Sequence, residues 1–378
     1  MSPAFALAYA ASRPAQMLAS EHQGPTWQTG IAVRGGSTLM FRLSVAMHRE
    51  RERPMITILK KAATAAAAMA LMAAPAMAES WDMPTPYPDA TFHTQNIQTF
   101  AEEVKAATDG KIDITVHSAG SLFKHPEIKN AVRSGQVQIG EFFLSLIANE
   151  NAVYGIDSQP FLAISYDDAK ELWDLQKPVV TDLLARQNLV PLYSVPWPPQ
   201  GLYSKNEVKT VDDLRGLKFR VYNPTLELFA NLAGAAPVQV EVPDIPQAFT
   251  TGQVEAMITS PSTGANSKAW DYVQYYSPIN AWIPKNIVVI NKDIWDSLDE
   301  ETRAAIQDAA EAAEKRGWEM SMKESKAKTE VLADNGMTIV EPSDELMDGL
   351  KKIGADMQAE WNESASDEAK EVVDAFTN

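Results

Sequence analysis

The chain has no cysteine among its 378 residues, which excludes disulfides and thiolate chemistry. Positive charge is the next shortage. Lys and Arg number 33 against 50 Asp and Glu, a formal net charge of −17. That balance argues against nucleic acid or an anionic membrane surface as a partner. Of five histidines, only His93, His117 and His125 lie beyond residue 78, and not at metal-ligand spacing. No metal and no cofactor is expected, and His93 and His117 read as surface residues. Gly-x-Ser-x-Gly, the Walker phosphate loop, His-Glu-x-x-His and the dinucleotide Gly-x-Gly-x-x-Gly are all missing. Carboxylates are numerous enough to supply a hydrolase pair, but most sit at i,i+3 and i,i+4 positions of helical stretches, as solvated faces do.

What is present begins with a secretory signal. Residues 1–54 are basic and without period, and are read as an upstream mis-translation. From Met55, Lys60 and Lys61 precede an apolar run, Ala62 to Ala74, too short to span a bilayer. Ala76-Met77-Ala78 then forms a small-x-small cleavage site ahead of Glu79. Residues 55–78 are thus a signal peptide. The mature chain would carry 25 basic and 47 acidic residues, a net of −22. Such a surface stays soluble outside the cytoplasm, with no insertion into the membrane after cleavage.

The mature sequence alternates strands and helices. Strand-like starts at 79 and 111 flank a helix at 91–108, and a helix at 125–134 is closed by Gly135 before the apolar strand VQIGEFFLS. This order predicts a mainly parallel sheet flanked by helices. A helix over 166–187 starts from Ser165 or Asp167, and another covers 264–276. AWIPKNIVVINK is extended and long enough to pass between domains. Ser297-x-x-Glu300 reads as a capping box opening a polar helix to Asp334, stopped at Asn335-Gly336. It would be about 50 Å long, enough to brace two domains. Residues 344–377 read as helical.

The stretch Asp212 to Pro224 stands apart. KFRV is a short strand between a Gly turn and Asn-Pro, with Lys218 and Arg220 on one face and Phe219 and Val221 on the other. A cation at a strand end is where α/β proteins hold ligands, and a guanidinium matches a carboxylate bidentately. A solvated edge-strand arginine is the equal alternative. Phe142, Phe143, Trp197, Tyr203, Tyr222 and Trp282 fall at strand ends or loops. Each alone reads as core; converging on one arginine they would form an apolar pocket with one anionic anchor.

From Glu79 onward the chain resembles the DctP-type solute-binding proteins of TRAP (tripartite ATP-independent periplasmic) transporters. FAEEVKAATDGKIDITVHSAGSLF, EIKNAVRSGQVQIGEF, DLRGLKFRVYNP, AFTTGQVEAM and NKDIWDSLDEETRAAI carry the likeness. The resemblance implies a two-lobed α/β periplasmic binding protein, class II-like, with a long helix (about 299–335) bridging both lobes. Lobe I would comprise 79–197 plus 285–324 and lobe II 198–284 plus 325–378. It implies a periplasmic, non-enzymatic receptor that closes on a small organic acid and delivers it to the small and large membrane subunits. Arg220 takes the place of the family's carboxylate anchor and Asn223 that of a ligand-contacting neighbour. Gln200 stands where sialic-acid-binding members carry a second arginine, and Thr259 where many carry asparagine. Phe143 and Trp282 replace polar groups. With Trp197, Phe142, Tyr87 and His125 these residues form the expected site, suited to a monocarboxylate with an apolar or aromatic body. A small aliphatic keto or hydroxy acid, a dicarboxylate, a sensor-kinase ligand subunit and a secreted carboxylate-dependent hydrolase are the competing expectations.

Overall fold

The computed structural model describes residues 78–378; the expectations for 1–54 and for the body of the signal peptide lie outside them. Strand β1 (Glu79–Pro84) and β2 (Ile112–His117) pair in parallel across the crossover helix α1 (Phe92–Ala107). Asp109 and Gly110 end that helix with φ of 51° and 76°, the left-handed turn that glycine takes without a Cβ clash. Phe92, Ile97, Phe100 and Val104 make its buried face. His93 on the same face is only 1% exposed, so the surface reading of it is wrong. The His93 ring packs 4.2 Å from the Phe92 ring and 4.2 Å from the Trp197 ring.

Helix α2 (His125–Arg133) lies on β3 (Ile139–Phe143). A Cβ at Gly140 would come within 2.9 Å of both Ile128 and Val132, so only glycine permits this approach. Helix α3 (Tyr166–Ala185) starts from Ser165, whose hydroxyl accepts the Asp168 N–H at 3.1 Å, and leads to β4 (Leu189–Pro196).

The chain then builds most of a six-stranded sheet. It uses β5 (Gly201–Ser204), β6 (Lys218–Val221), helix α4 (Pro224–Leu232), β7 (Ala236–Gln239), helix α5 (Ile245–Thr250), β8 (Ala256–Thr259), helix α6 (Pro261–Asn266) and β9 (Tyr275–Ser277). The helix expected over 264–276 stops early: Lys268 takes φ 54°, and Tyr275–Ser277 pairs with β5. Sheet pairing and burial of Tyr276 override the local helical pattern.

Strand β10 (Lys285–Asn291) returns to the first lobe and inserts antiparallel between β3 and β4, a three-stranded sheet separate from the β1–β2 pair. The six-stranded sheet of the second lobe runs β11-β9-β5-β8-β6-β7, where β11 is Thr338–Ile339. Strand β5 is antiparallel to both neighbours, while β6 is parallel to β7 and β8. The β1–β2 pair is parallel, the β3-β10-β4 sheet is antiparallel and the six-stranded sheet is mixed, so the expected single, mainly parallel sheet does not form. The reason is topological: the three-stranded and the six-stranded sheet each receive a strand after the chain has crossed between lobes, not after a local βαβ turn.

The outgoing segment after β4 and the incoming one before β10 run side by side. Trp197 N–H donates to Pro284 O at 2.8 Å, Gln200 N–H to Trp282 O at 3.0 Å, and Ala281 N–H to Gln200 O at 3.0 Å. A short helix α7 (Lys292–Ser297) precedes α8 (Glu300–Asp334). The cap of α8 is Asp299, which accepts the Thr302 N–H at 2.7 Å; Ser297 belongs to the preceding helix, so the expected capping box does not form. The first half of α8 packs on α1 and β4, with Arg316 forking onto Glu103 at 2.7 and 3.1 Å. Farther along, Ser262 of α6 donates to Glu324 at 2.6 Å, and Leu332 enters the second lobe's core.

The C-terminal residues divide between the lobes. Helix α9 (Asp344–Ser364) contacts α4, but α10 (Asp367–Thr377) packs on α3 and buries Ala369, Val372 and Val373 beside Leu172 and Trp173. Placing all of 325–378 in the second lobe is thus corrected. No helix among the described residues is long and apolar enough to cross a membrane.

Candidate functional site

Strand β6 is an interior strand, flanked by β7 and β8, and its Arg220 is 1% exposed. The solvated-edge reading of Arg220 therefore falls. Its Nε donates to Val240 O at 2.9 Å, and its guanidinium carbon lies 4.7 Å from the centre of the Tyr222 ring. Among the described residues no carboxylate comes within 4.0 Å of it. Burial lowers its pKa from the ordinary value, against the pull of Tyr222 and Glu241. The group nonetheless keeps its charge, as arginine does in proteins.

Arg220 forms part of the wall of a small, partly open cavity of about 30 Å³. Around it stand Tyr87, His125, Phe143 and Trp197 from the first lobe and its exit, Gln200 from the crossing segment, and Thr259 at the end of β8. Tyr222, Glu241, Val242 and Thr263 complete the lining.

Three expected residues stand elsewhere. Phe142 is fully buried on the opposite side of β3, in a cluster with Ile128, Val132 and Leu144. Trp282 lies one layer behind, its Nε1 donating to the Tyr222 hydroxyl at 3.2 Å. Asn223 caps α4: its Oδ1 accepts the Leu226 N–H at 2.7 Å, and its Nδ2 donates to Ser145 Oγ at 2.7 Å. It ties the second lobe to the first rather than lining the cavity.

Each wall is held from behind. Tyr87 Oη and Trp197 Nε1 both donate to Asn286 Oδ1, at 3.1 and 3.0 Å. Asn286 Nδ2 in turn donates to Glu141, which also receives the Thr85 hydroxyl at 2.6 Å. Burial first, and then Glu141, raises the Tyr87 pKa well above its usual value, so this phenol remains a neutral donor. Tyr222 donates to Gln200 Oε1 at 3.2 Å while Gln200 Nε2 donates to Pro198 O at 2.7 Å. Phe143 meets the Tyr222 ring edge-on at 5.3 Å.

Glu241 is the charged lining residue that sequence reasoning missed. Its Oε2 is 3.1 Å from His125 Nδ1, and its Oε1 accepts from Gln239 Nε2 at 3.2 Å. The Phe143 backbone N–H donates to His125 Nε2 at 3.0 Å. Nε2 therefore carries no proton, and the network assigns the proton to Nδ1, which donates to Glu241. Burial would raise the Glu241 pKa, but the hydrogen bond from His125 and the charge of Arg220 oppose it and hold it below the ordinary value. The cavity thus combines one fixed cation, one carboxylate, neutral hydroxyls and aromatic faces. The available signal was a lone acid between valines, Val240-Glu241-Val242, just past β7 beside the Arg220 strand.

Two lobes, two crossing segments, a bracing helix and a charged pocket between the lobes define a hinged solute receptor rather than an enzyme. The chain belongs to the bacterial extracellular solute-binding protein family 7, the DctP family, whose model matches residues 85–367. It is a TRAP-type solute receptor that works outside the cytoplasm, in the periplasm. The structure is similar to that of DctP7 of Bordetella pertussis, an extracytoplasmic solute receptor binding pyroglutamic acid. The two share 42% identity at a TM-score of 0.78, covering 80% of this chain and 100% of that one. A TRAP solute-binding protein from a marine metagenome, specific for pyroglutamate, shares 43% identity at a TM-score of 0.78 over 79% of this chain and 99% of its own. A curated solute-binding protein of Chromohalobacter salexigens is 28% identical over 276 residues, 71% of this chain and 81% of that one.

Proposed function

We propose that this receptor binds a small monocarboxylate, pyroglutamate above all, and delivers it to the small and large membrane subunits of a TRAP transporter. The observation that carries the reading is Arg220: a buried guanidinium at a cavity wall, donating only its Nε to the protein among the described residues. A ligand carboxylate completes its fork. Gln200 is neutral and already engaged with Pro198 and Tyr222, and Glu241 is held ionised. A second ligand carboxylate would meet no cation and would face Glu241, a cost of several kcal/mol for an uncompensated buried ion. The pyroglutamate-binding relatives, at 42% and 43% identity, support a five-membered ring carboxylate. A benzoate-type acid is the second reading, favoured by the rings of Phe143, Trp197 and Tyr222.

Closure would bring the lobes together around the ligand, since Asn223–Ser145 and His125–Glu241 link residues of opposite lobes. Calorimetric titration with pyroglutamate, pyruvate, mandelate, benzoate, succinate and malate tests the proposal. Pyroglutamate is expected to bind most tightly and the two dicarboxylates most weakly. Tighter binding of succinate or malate than of every monocarboxylate would overturn the single-anchor reading, and tighter binding of benzoate or mandelate than of pyroglutamate would replace the lactam by an aromatic acid.

A further inference from the structure

Resting on the pyroglutamate reading, we infer that Glu241, oriented by His125, is a specificity residue that accepts a hydrogen bond from an N–H group of the ligand's ring. The first ground is chemical. A carboxylate accepts hydrogen bonds and donates none, so a ligand of negative charge alone would be repelled from this wall. The second ground is positional. Glu241 lines the same cavity as Arg220, yet the two make no ion pair within 4.0 Å among the described residues, so each is left to address a different part of the ligand.

The third ground is the support behind Glu241. Gln239 and His125 each engage one carboxylate oxygen, and each oxygen retains acceptor capacity. His125 is itself locked by the Phe143 N–H on its other nitrogen, so its Nδ1–H cannot turn away. The pair spans 116 residues of sequence and joins the lobes. A purely mechanical latch explains the His125 contact but not why the charged residue of the pair faces the cavity. A lactam acid satisfies both groups at once, carboxylate on Arg220 and ring N–H on Glu241.

The test compares ligands that differ only at this atom. Pyroglutamate is set against its lactone isostere, 5-oxotetrahydrofuran-2-carboxylate, in which oxygen replaces N–H. Proline is set against cyclopentanecarboxylate. The Glu241 side chain is 24% exposed, so the expected preference is that of one partly screened charge-assisted bond, about tenfold to a hundredfold for pyroglutamate over the lactone. In Glu241→Gln the amide can donate to the lactone oxygen, and the ratio is expected to fall below about threefold. Loss of a structural latch alone would weaken both ligands equally and leave the ratio unchanged. Equal binding of pyroglutamate and lactone by the wild type, or an unchanged ratio in the variant, overturns the inference and leaves the pyroglutamate reading standing. If pyroglutamate fails to bind but proline outcompetes cyclopentanecarboxylate, the ligand is wrong and the N–H preference stands. Binding of none of the four overturns both.

Discussion

Arg220 and Lys285 are each no more than 1% exposed, and each lies over an aromatic ring: Arg220 4.7 Å from the centre of Tyr222, Lys285 5.9 Å from that of Trp173. Their partners differ. Lys285 faces Asp157 at 3.4 Å, with both side chains wholly buried, and Asp157 also accepts the Lys285 backbone N–H at 2.9 Å. Among the described residues Arg220 has only a carbonyl and a ring. A buried ion pair closed within the scaffold fixes a shape, here the seating of β10 against the turn that carries Asp157. A buried cation left open at a cavity wall carries an electrostatic cost that only an anionic ligand relieves.

Breaking the closed pair should have the largest effect. Lys285→Met leaves Asp157 buried without its cation and is expected to cost about 3–5 kcal/mol of stability at neutral pH, read by urea denaturation. Burial already raises the Asp157 pKa above 3.8, opposed chiefly by Lys285. With the ammonium gone, the folded pKa should rise further. The folded state would then bind a proton that the unfolded chain does not, so the variant should regain stability as pH falls toward 4. Adding Asp157→Leu should restore much of the loss. A single variant within about 1 kcal/mol of wild type would mean that Lys285 is no better anchored than Arg220.

The open cation should respond in the opposite sense. Arg220→Met is expected to weaken ligand binding by about 2–5 kcal/mol, measured by calorimetry. The ligand-free protein should melt no lower than wild type, because a desolvated charge has been removed. A large fall in melting temperature with affinity preserved would reassign Arg220 to the scaffold.

A smaller effect sharpens the contrast. Tyr222→Leu removes the ring beneath the guanidinium and is expected to weaken binding by about 0.5–2 kcal/mol. A loss as large as that of Arg220→Met would show that the ring's hydroxyl, through Gln200 and Trp282, matters more than its face.

Local chemistry made much of this protein legible. The Ser165 cap, the stops at Asp109-Gly110 and Asn335-Gly336, the long helix to Asp334 and the strand that carries Arg220 all depend on residues within a few positions of one another. The family motifs are likewise contiguous, so the hinged-receptor class followed from them. Other features depended on partners far away in sequence. Strand β3 is buried on both faces, so alternation could not tell Phe143, at the cavity, from Phe142, in the core behind it. Asn223 reads equally as a helix cap or a ligand contact until Ser145 is placed opposite it. The insertion of β10 between β3 and β4, and the meeting of His125 with Glu241, join segments far apart in sequence. Periodicity, caps and turns act over a few residues and were fixed by the sequence itself; charge and hydrogen-bond partners from distant segments were brought together only by the tertiary structure.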